Sequence, residues 1–269
     1  IHGLSMPKSR FETREWHEAI GGMLGADDGD RIAAGLCNAI DQVVDNNGPC
    51  LLAFHRDAPP EVVHHALEPK DERHYLQRYL AGPYLLDPLY ELALKDDKPS
   101  LCRFRDAIPD RFHSSEYYRQ YCERTHLKDE MDYLVEVEDG SALVLVVASR
   151  ERMFTRSELA RLELVEPMVR AAMQRIWSNW RGARGRGRPD RAIHSRLTEC
   201  YRNFGNEILT QREREITQLL LRGHSTKSVA RELGIAPGTV MVHKRNLFSK
   251  LGITSQYELF SRFIDALST

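Results

Sequence analysis

The stretch APGTVMVHKRNLFSKL, residues 236–251, places apolar and hydrogen-bonding side chains at helical spacing. Val240, Leu247 and Leu251 fall on one side of a helix with 3.6 residues per turn. The opposite side carries residues that can contact a polar partner: Val242, Arg245, Asn246 and Ser249. An arginine can donate to guanine or to phosphate, and an exposed valine can contact the methyl group of thymine. This face therefore suits contact with nucleic acid.

Two shorter helical segments precede this one. LTQREREITQLLLRG has Thr210 followed three residues later by Glu213, the spacing of a capping box, and it stops at Gly223. STKSVARELG begins at the N-cap residue Ser225 and ends at Gly234. A short helix, a tight turn and a second amphipathic helix with basic residues outward form a helix-turn-helix arrangement.

From Leu209 to Ile253 this run resembles, almost position by position, the DNA-binding domain of LuxR-type transcription regulators. The resemblance covers about 60 residues, through Leu267. It implies a unit of four helices whose third helix enters the major groove of double-stranded DNA. It also implies that the last helix, residues 255–267, can pair two protomers.

The resemblance gives individual residues their expected roles. Lys227 matches a residue that contacts phosphate, although a solvated surface lysine is the alternative, and the hydroxyl of Thr239 can do the same. Met241 stands where the family commonly has lysine, and Ala236 where it often has a serine N-cap, for which Pro237 partly compensates. The candidate DNA-binding residues are Lys227, Thr239, Met241, Val242, Arg245, Asn246 and Ser249.

The composition is that of a soluble globular protein. Among the 269 residues, 42% are hydrophobic and 29% are charged. The longest apolar run, residues 142–148, is far shorter than a bilayer requires, so we expect a cytoplasmic protein without a membrane partner. The five scattered cysteines indicate reduced thiols rather than a disulfide or zinc framework.

Charge and glycine content divide the chain. Residues 1–180 carry 22 basic and 31 acidic residues, whereas residues 181–269 carry 16 and 8. The arginine- and glycine-rich stretch at 181–191 separates these parts, and its arginines either contact DNA or act as a solubilising spacer. The predicted divisions are a sensing and dimerisation domain at 6–178, a linker at 179–203 and a DNA-binding domain at 204–269.

The first part mixes helices and strands. We predict a helix over 30–44, a helical region over 71–95 that is interrupted at Gly82 and Pro83, and a helix capped by Ser114 or Ser115. Strands are predicted over 50–54 and EVVHHAL, and a hairpin around Asp139 and Gly140. The order fits an antiparallel sheet covered by helices. The predicted fold class is α+β: an α/β/α sandwich-type sensor domain with an antiparallel sheet, followed by an all-α helix-turn-helix domain of four helices.

The segment YLQRYLAGPYLLDPLY holds aromatic residues before an Asp-Pro pair. It loosely resembles the acyl-homoserine-lactone-binding domain of the same regulators, where aromatic residues line a pocket and an aspartate accepts a hydrogen bond from the ligand. Tyr75 stands where that family usually has tryptophan. The candidate ligand-binding residues are Tyr75, Tyr79, Tyr84, Asp87 and Tyr90.

Each of these residues also has a structural interpretation. Asp87 before Pro88 can simply be a turn or helix-end residue, and tyrosines at helical spacing are often core residues. Glu130 opens a strand and is a candidate for the pocket rim. The adjacent histidines His64 and His65 point to opposite faces of a strand, so they do not indicate a metal site.

Three functional classes remain open at this point. The first is a homodimeric regulator controlled by a small-molecule effector, with dimer contacts through the helix at 158–177 and the terminal helix. The second is a ligand-independent transcription factor whose first domain serves dimerisation or protein interaction. An enzyme is disfavoured because no catalytic or phosphate-binding motif is present, and we expect no catalytic residue, metal or cofactor.

Overall fold

An antiparallel sheet forms the centre of the first domain. The computed structural model describes residues 10–120, 122–137, 140–183 and 191–267. Within these ranges five strands pair in the order β2-β1-β5-β4-β3. The strands are β1 (Cys50–His55), β2 (Glu61–His65), β3 (Leu101–Arg103), β4 (Asp129–Glu136) and β5 (Ser141–Ser149).

Helices cover both faces of this sheet. One face packs against α1 (Arg14–Gly25), α2 (Gly29–Val43) and α8 (Arg156–Ala183). After α3 (Pro69–Asp71), the short helices α4 (Gln77–Leu80) and α5 (Pro88–Ala93) pack against the other face. The same connection continues through α6 (Phe104–Ala107) and α7 (Glu116–Gln120). The predicted α/β/α sandwich is confirmed.

The side chains of β4 point alternately to the two faces of the sheet. Met131 and Tyr133 face α2 and α8, whereas Leu134 faces the short helices. Since successive residues of a strand point to opposite faces, Glu130 and Asp132 lie on the same face as Leu134. Two acidic residues are thus directed towards the layer of short helices.

The second domain is entirely helical within the described residues. It comprises α9 (Arg191–Asn203), α10 (Gln211–Leu221), α11 (Thr226–Glu232), α12 (Pro237–Leu251) and α13 (Gln256–Leu267). The last four are the predicted unit of four helices, and they share one apolar core that includes Ile216, Val229, Leu247 and Phe263. The α+β class is therefore confirmed for the chain.

The linker region differs from the sequence-based prediction. α8 continues to Ala183 and α9 begins at Arg191, so both ends of the stretch predicted as linker are helical. Tertiary packing explains this: Trp180 is buried in the core of the first domain beside Gly29 of α2, and Tyr201 of α9 packs on Phe263 at a ring distance of 5.6 Å. Residues 184–190, with Arg184, Arg186 and Arg188, lie outside the described residues, as does Asp139 of the predicted hairpin turn.

The beginning of α8 is fixed by one carboxylate. Glu158 Oε2 accepts hydrogen bonds from the backbone N–H and the hydroxyl of Thr155, both at 2.8 Å. Both guanidinium nitrogens of Arg152 donate to Glu158 at 2.8 Å. The Arg152 contacts, followed by the Thr155 hydrogen bonds, lower the pKa of Glu158 to about 2.

α8 is 28 residues long. Neither α8 nor another described helix is long and apolar enough to cross a membrane.

We predict that Glu158→Gln lowers the free energy of unfolding by about 1 kcal/mol at pH 7, because the charged hydrogen bonds to Arg152 are lost. A carboxylate with a lowered pKa in the folded state stabilises the protein fully above its ordinary pKa, and this contribution disappears as pH falls towards about 2. The difference between variant and parent should therefore be smaller at pH 4 than at pH 7 in urea titrations. Glu163→Gln, at an exposed position of the same helix, is the control, and a pH-independent difference for Glu158→Gln would contradict the assignment.

Candidate nucleic-acid interface and ligand cavity

Capping interactions position the three helices of the predicted helix-turn-helix. Thr210 Oγ1 accepts the N–H of Glu213 at 3.3 Å, and Glu213 Oε2 accepts the N–H of Thr210 at 2.8 Å, which completes the predicted capping box. The same carboxylate pairs with Lys250 of α12 at 2.7 Å. Ser225 caps α11 through the N–H of Ser228 at 3.1 Å. One buried glutamate thus fixes both the start of α10 and the position of α12.

The two sides of α12 differ as predicted. Val240, Leu247 and Leu251 are buried against α10 and α11. The residues proposed to contact DNA are all exposed on the other side: Thr239, Met241, Val242, Arg245, Asn246 and Ser249. Met241 and Val242 keep 63% and 48% of their surface accessible. The open face combines apolar, amide, hydroxyl and guanidinium groups. Groups of these types can contact base edges in the major groove.

The flanks of this face also match the sequence-based expectations. Lys227 is exposed in the first turn of α11. Ala236 precedes α12 without a side-chain cap, and Pro237 occupies the first turn. Lys244 is half-buried, with its ammonium group 5.3 Å from the centre of the Phe248 ring, and burial followed by the nearby Arg111 lowers its pKa. Lys244 therefore belongs to the side of α12 that faces the protein.

A cavity of about 150 Å³ lies between the sheet and the short helices of the first domain. Three of the predicted ligand-binding residues, Tyr75, Tyr79 and Asp87, line it. The Tyr79 hydroxyl donates to Asp87 Oδ2 at 2.7 Å, and the N–H of Leu89 donates to Asp87 Oδ1 at 2.9 Å. Asp87 is therefore both a polar group of the cavity and the N-cap of α5. Burial raises its pKa to about 6, although both hydrogen bonds act in the opposite direction.

Tyr84 and Tyr90 are not brought to the cavity. Tyr84 is fully buried, and its ring packs 5.2 Å from that of Tyr90. The Tyr90 hydroxyl donates to the carbonyl of His55 at 2.5 Å, which places it in the core beside β1. Their positions follow from the turn at Gly82, whose φ of 142° directs the chain into the segment Pro83–Leu86 behind the cavity wall. The sequence spacing of Tyr84 and Tyr90 does not indicate the direction of this turn.

Besides Asp87, the cavity is lined by two further charged residues, Arg150 and Glu130. Arg150 lines the cavity, pairs with Asp71 at 2.7 Å and lies 4.3 Å from the centre of the Tyr75 ring. Glu130, a candidate for the rim, lines the cavity itself. Asp132 is fully buried two residues further along β4. The period of two in KDEMDY could have identified both acids as residues of one face.

Histidines and cysteines are the remaining side chains that could form a metal site. No group of His, Cys, Asp and Glu side chains among the described residues is arranged to hold a metal ion. The cysteines are free thiols, and burial raises the pKa of Cys37 to about 12, which leaves it protonated and unreactive.

The two domains are in direct contact near the helix-turn-helix. Asp110 accepts the N–H of Ser225 at 2.9 Å and also the Ser225 hydroxyl. The N–H of Arg111 donates to the carbonyl of Gly223 at 3.1 Å. Gly223 has a φ of 93°, and a Cβ there would lie 2.9 Å from Phe112 Cα. The turn between α10 and α11 therefore fits against the first domain only because this residue is glycine.

Comparisons with known proteins agree with this geometry. Residues 207–263 match GerE, the luxR family of bacterial regulatory proteins. The LBD domain of VqsR from Pseudomonas aeruginosa resembles the N-terminal half, with a TM-score of 0.53 and 28% identity over 62% of this chain and 98% of that structure.

Two relatives extend the similarity beyond the DNA-binding domain. The monoamine regulon transcriptional regulator of Klebsiella aerogenes is 24% identical over 244 residues, which are 89% of this chain and 93% of that protein. An HTH-type transcriptional regulator from the exeN 3' region of Aeromonas salmonicida is 34% identical over 159 residues, 57% of this chain and 81% of the relative. These relatives are regulators rather than enzymes, and the chain belongs to the LuxR family of bacterial transcriptional regulators.

Proposed function

We propose that this regulator binds operator DNA as a homodimer under the control of a small-molecule effector in the cavity, and that it acts in the cytoplasm. One observation carries the proposed control. α5 has Asp87 of the cavity at its start, and one turn later Glu91 forms an ion pair with Arg222 of the DNA-binding domain at 2.7 Å. A ligand that displaces Asp87 must therefore also displace a contact to the second domain.

A second connection runs through the segment between β3 and β4. Thr125 and Leu127 line the cavity. Upstream in the same segment, Asp110 and Arg111 hold the turn between α10 and α11. A ligand changes the position of the DNA-binding domain only if it binds one arrangement of the two domains more tightly than another. The cavity is connected to the DNA-binding domain on two sides, which supports control by an effector.

We assign base and phosphate contacts to individual residues from their positions on α11 and α12. Arg245, Val242 and Asn246 lie near the middle of the open face of α12 and are proposed to read bases. Lys227, Thr239 and Ser249 lie towards its edges and are proposed to contact phosphates or fix the register. Met241 adds an apolar contact where the family commonly has a cation.

We also propose that the chain divides into a sensing domain at 6–178, a linker at 179–203 and a DNA-binding domain at 204–269. Both ends of this linker are helical.

Exposed apolar residues support the proposed homodimer. Leu164 of α8 is 68% exposed, and Tyr257 and Ile264 of α13 are exposed seven residues apart on one face. Apolar patches of this kind often mark contacts between protein chains. The ligand-independent alternative shares the dimer but predicts that no small molecule raises the melting temperature, which a thermal-shift screen measures.

We predict a particle of twice 31.0 kDa in light scattering at micromolar concentration. Ile264→Glu, which places a charge in the proposed contact of α13, should shift the equilibrium towards monomer and weaken binding to a palindromic operator. A 31.0 kDa particle for the parent protein, with and without DNA, would contradict the homodimer.

We predict that Asp87→Asn reduces the response of operator binding to the effector identified by thermal shift. Asparagine keeps an acceptor for the N–H of Leu89 but replaces one oxygen by a donor, so the fold survives while the polar anchor is altered. Tyr90→Phe is the control, since it removes a hydroxyl from the adjacent core and not from the cavity. An unchanged dose-response curve for Asp87→Asn would remove Asp87 from the effector site.

We predict that Arg245→Ala and Lys227→Ala have different signatures in binding titrations. Arg245→Ala should cost about 1–3 kcal/mol on operator DNA and relax preference at one base pair. Lys227→Ala should weaken all sequences alike and reduce the salt slope by about one unit. Titrations on operator and scrambled DNA at several salt concentrations separate the two, and an equal loss for Arg245→Ala on both sequences would restrict it to phosphate contact.

A further inference from the structure

The cavity has an acidic wall that the control mechanism above does not use. Glu130 lines the cavity, and Asp132 lies on the same face of β4. Asp132 is fully buried, and neither of its oxygens has a hydrogen-bond donor among the described residues. The group that meets its carboxyl is the carboxyl of Glu130, and two such groups can bond only by sharing a proton. Without a donor from elsewhere, burial favours the protonated pair, whereas a ligand that supplies donors would favour the charged form.

The basic residues near this wall are already paired. Arg150 forms its ion pair with Asp71 at 2.7 Å. Arg103 donates two hydrogen bonds to Asp129, at 2.9 and 2.6 Å, on the other side of β4. No ion pair to Glu130, Asp132 or Asp87 occurs within the parts of the chain that the structure describes. The three acids therefore lack a protein cation.

Mutual repulsion adds to the effect of burial. Burial and the neighbouring carboxyls raise the pKa of both Glu130 and Asp132, and Asp87 contributes to each. Without a compensating cation, these carboxyls therefore favour their protonated, neutral forms. A cationic ligand would reverse this preference, because it compensates the charges that the protein leaves unbalanced.

We propose that the cavity binds a small protonated amine, whose ammonium group is held by Glu130 and Asp87, with the buried carboxyl of Asp132 beside Glu130, and whose body packs against the aromatic walls. The inference rests on the proposed function, since it specifies the chemical class of the effector. Phe54, Tyr75 and Tyr79 line the cavity and provide rings for apolar and cation–π contact. A volume of about 150 Å³ accommodates a molecule the size of a substituted benzene. An ammonium group supplies three donors, whereas an anion would be repelled.

The test compares two probes of nearly identical shape on the full chain by isothermal titration calorimetry. Benzylammonium carries the charge, and benzyl alcohol is its neutral counterpart. We expect benzylammonium to bind at least about tenfold more tightly than benzyl alcohol. Equal affinities, tighter binding of the alcohol, or no binding of benzylammonium up to about 10 mM would overturn the proposal.

Matched variants locate the charge recognition. Glu130→Gln and Asp132→Asn keep the side-chain shapes and should each weaken benzylammonium binding about tenfold while leaving benzyl alcohol unchanged. Glu136→Gln, at the exposed end of the same strand, should change neither affinity. Thermal unfolding checks that each variant is folded, and either folded variant can carry the test alone. Benzylammonium binding unaffected in a folded variant would overturn the assignment of that acid.

The outcomes also separate this inference from the proposed function. A neutral compound that binds in place of cations and changes operator affinity would refute the amine and leave effector control intact. A divalent metal ion that binds more tightly than benzylammonium would likewise refute it. If no compound of either charge changes operator affinity, effector control itself fails, whatever binds in the cavity.

Discussion

A buried carboxylate connects the two halves of this molecule. Asp87 is held by the Tyr79 hydroxyl and by the N–H of Leu89, and these bonds begin α5. The helix is only six residues long and places Glu91 against Arg222 of the DNA-binding domain. Because burial raises the pKa of Asp87 to about 6, its charge near neutrality depends on these few donors. A polar ligand that contacts this carboxylate therefore acts on a group that two hydrogen bonds hold in place.

The contact between the domains leaves the DNA-binding face free. The first domain holds the turn between α10 and α11 through Asp110, Arg111 and the space at Gly223. Val242 and Arg245 project from the opposite side of α12 and stay exposed. Contact with the first domain and contact with DNA therefore use different surfaces. Under this account an effector changes how the DNA-binding domain is held, rather than uncovering its recognition helix.

The sequence predicts the DNA-binding domain more completely than the cavity. Capping residues such as Thr210 and Ser225 act within a few positions of the chain, so local spacing predicts both the helices and the exposed face of α12. The cavity is assembled from separate elements. Tyr75 and Tyr79 line the cavity and Tyr84 and Tyr90 do not, because the direction of the chain after Gly82 depends on tertiary packing.

Other features had weak or no local signal. β3 is three residues long and half-buried, so it shows no alternation that could identify it. α9 is stabilised by packing of Tyr201 on Phe263, which the arginine-rich sequence before it concealed. Asp132 was predictable in principle from its spacing to Glu130, but that it lacks a hydrogen-bond donor is evident only once the neighbouring strands and their ion pairs are placed.

The central claim is that the cavity and the DNA-binding face are energetically linked. Linkage requires reciprocity: the factor by which an effector changes operator affinity must equal the factor by which operator DNA changes effector affinity. Both can be measured on the full chain, the first by fluorescence anisotropy with and without effector and the second by calorimetry with and without DNA. The account predicts equal factors that differ from one by about fivefold or more. A factor of one in both directions, for a ligand shown to occupy the cavity, would contradict it.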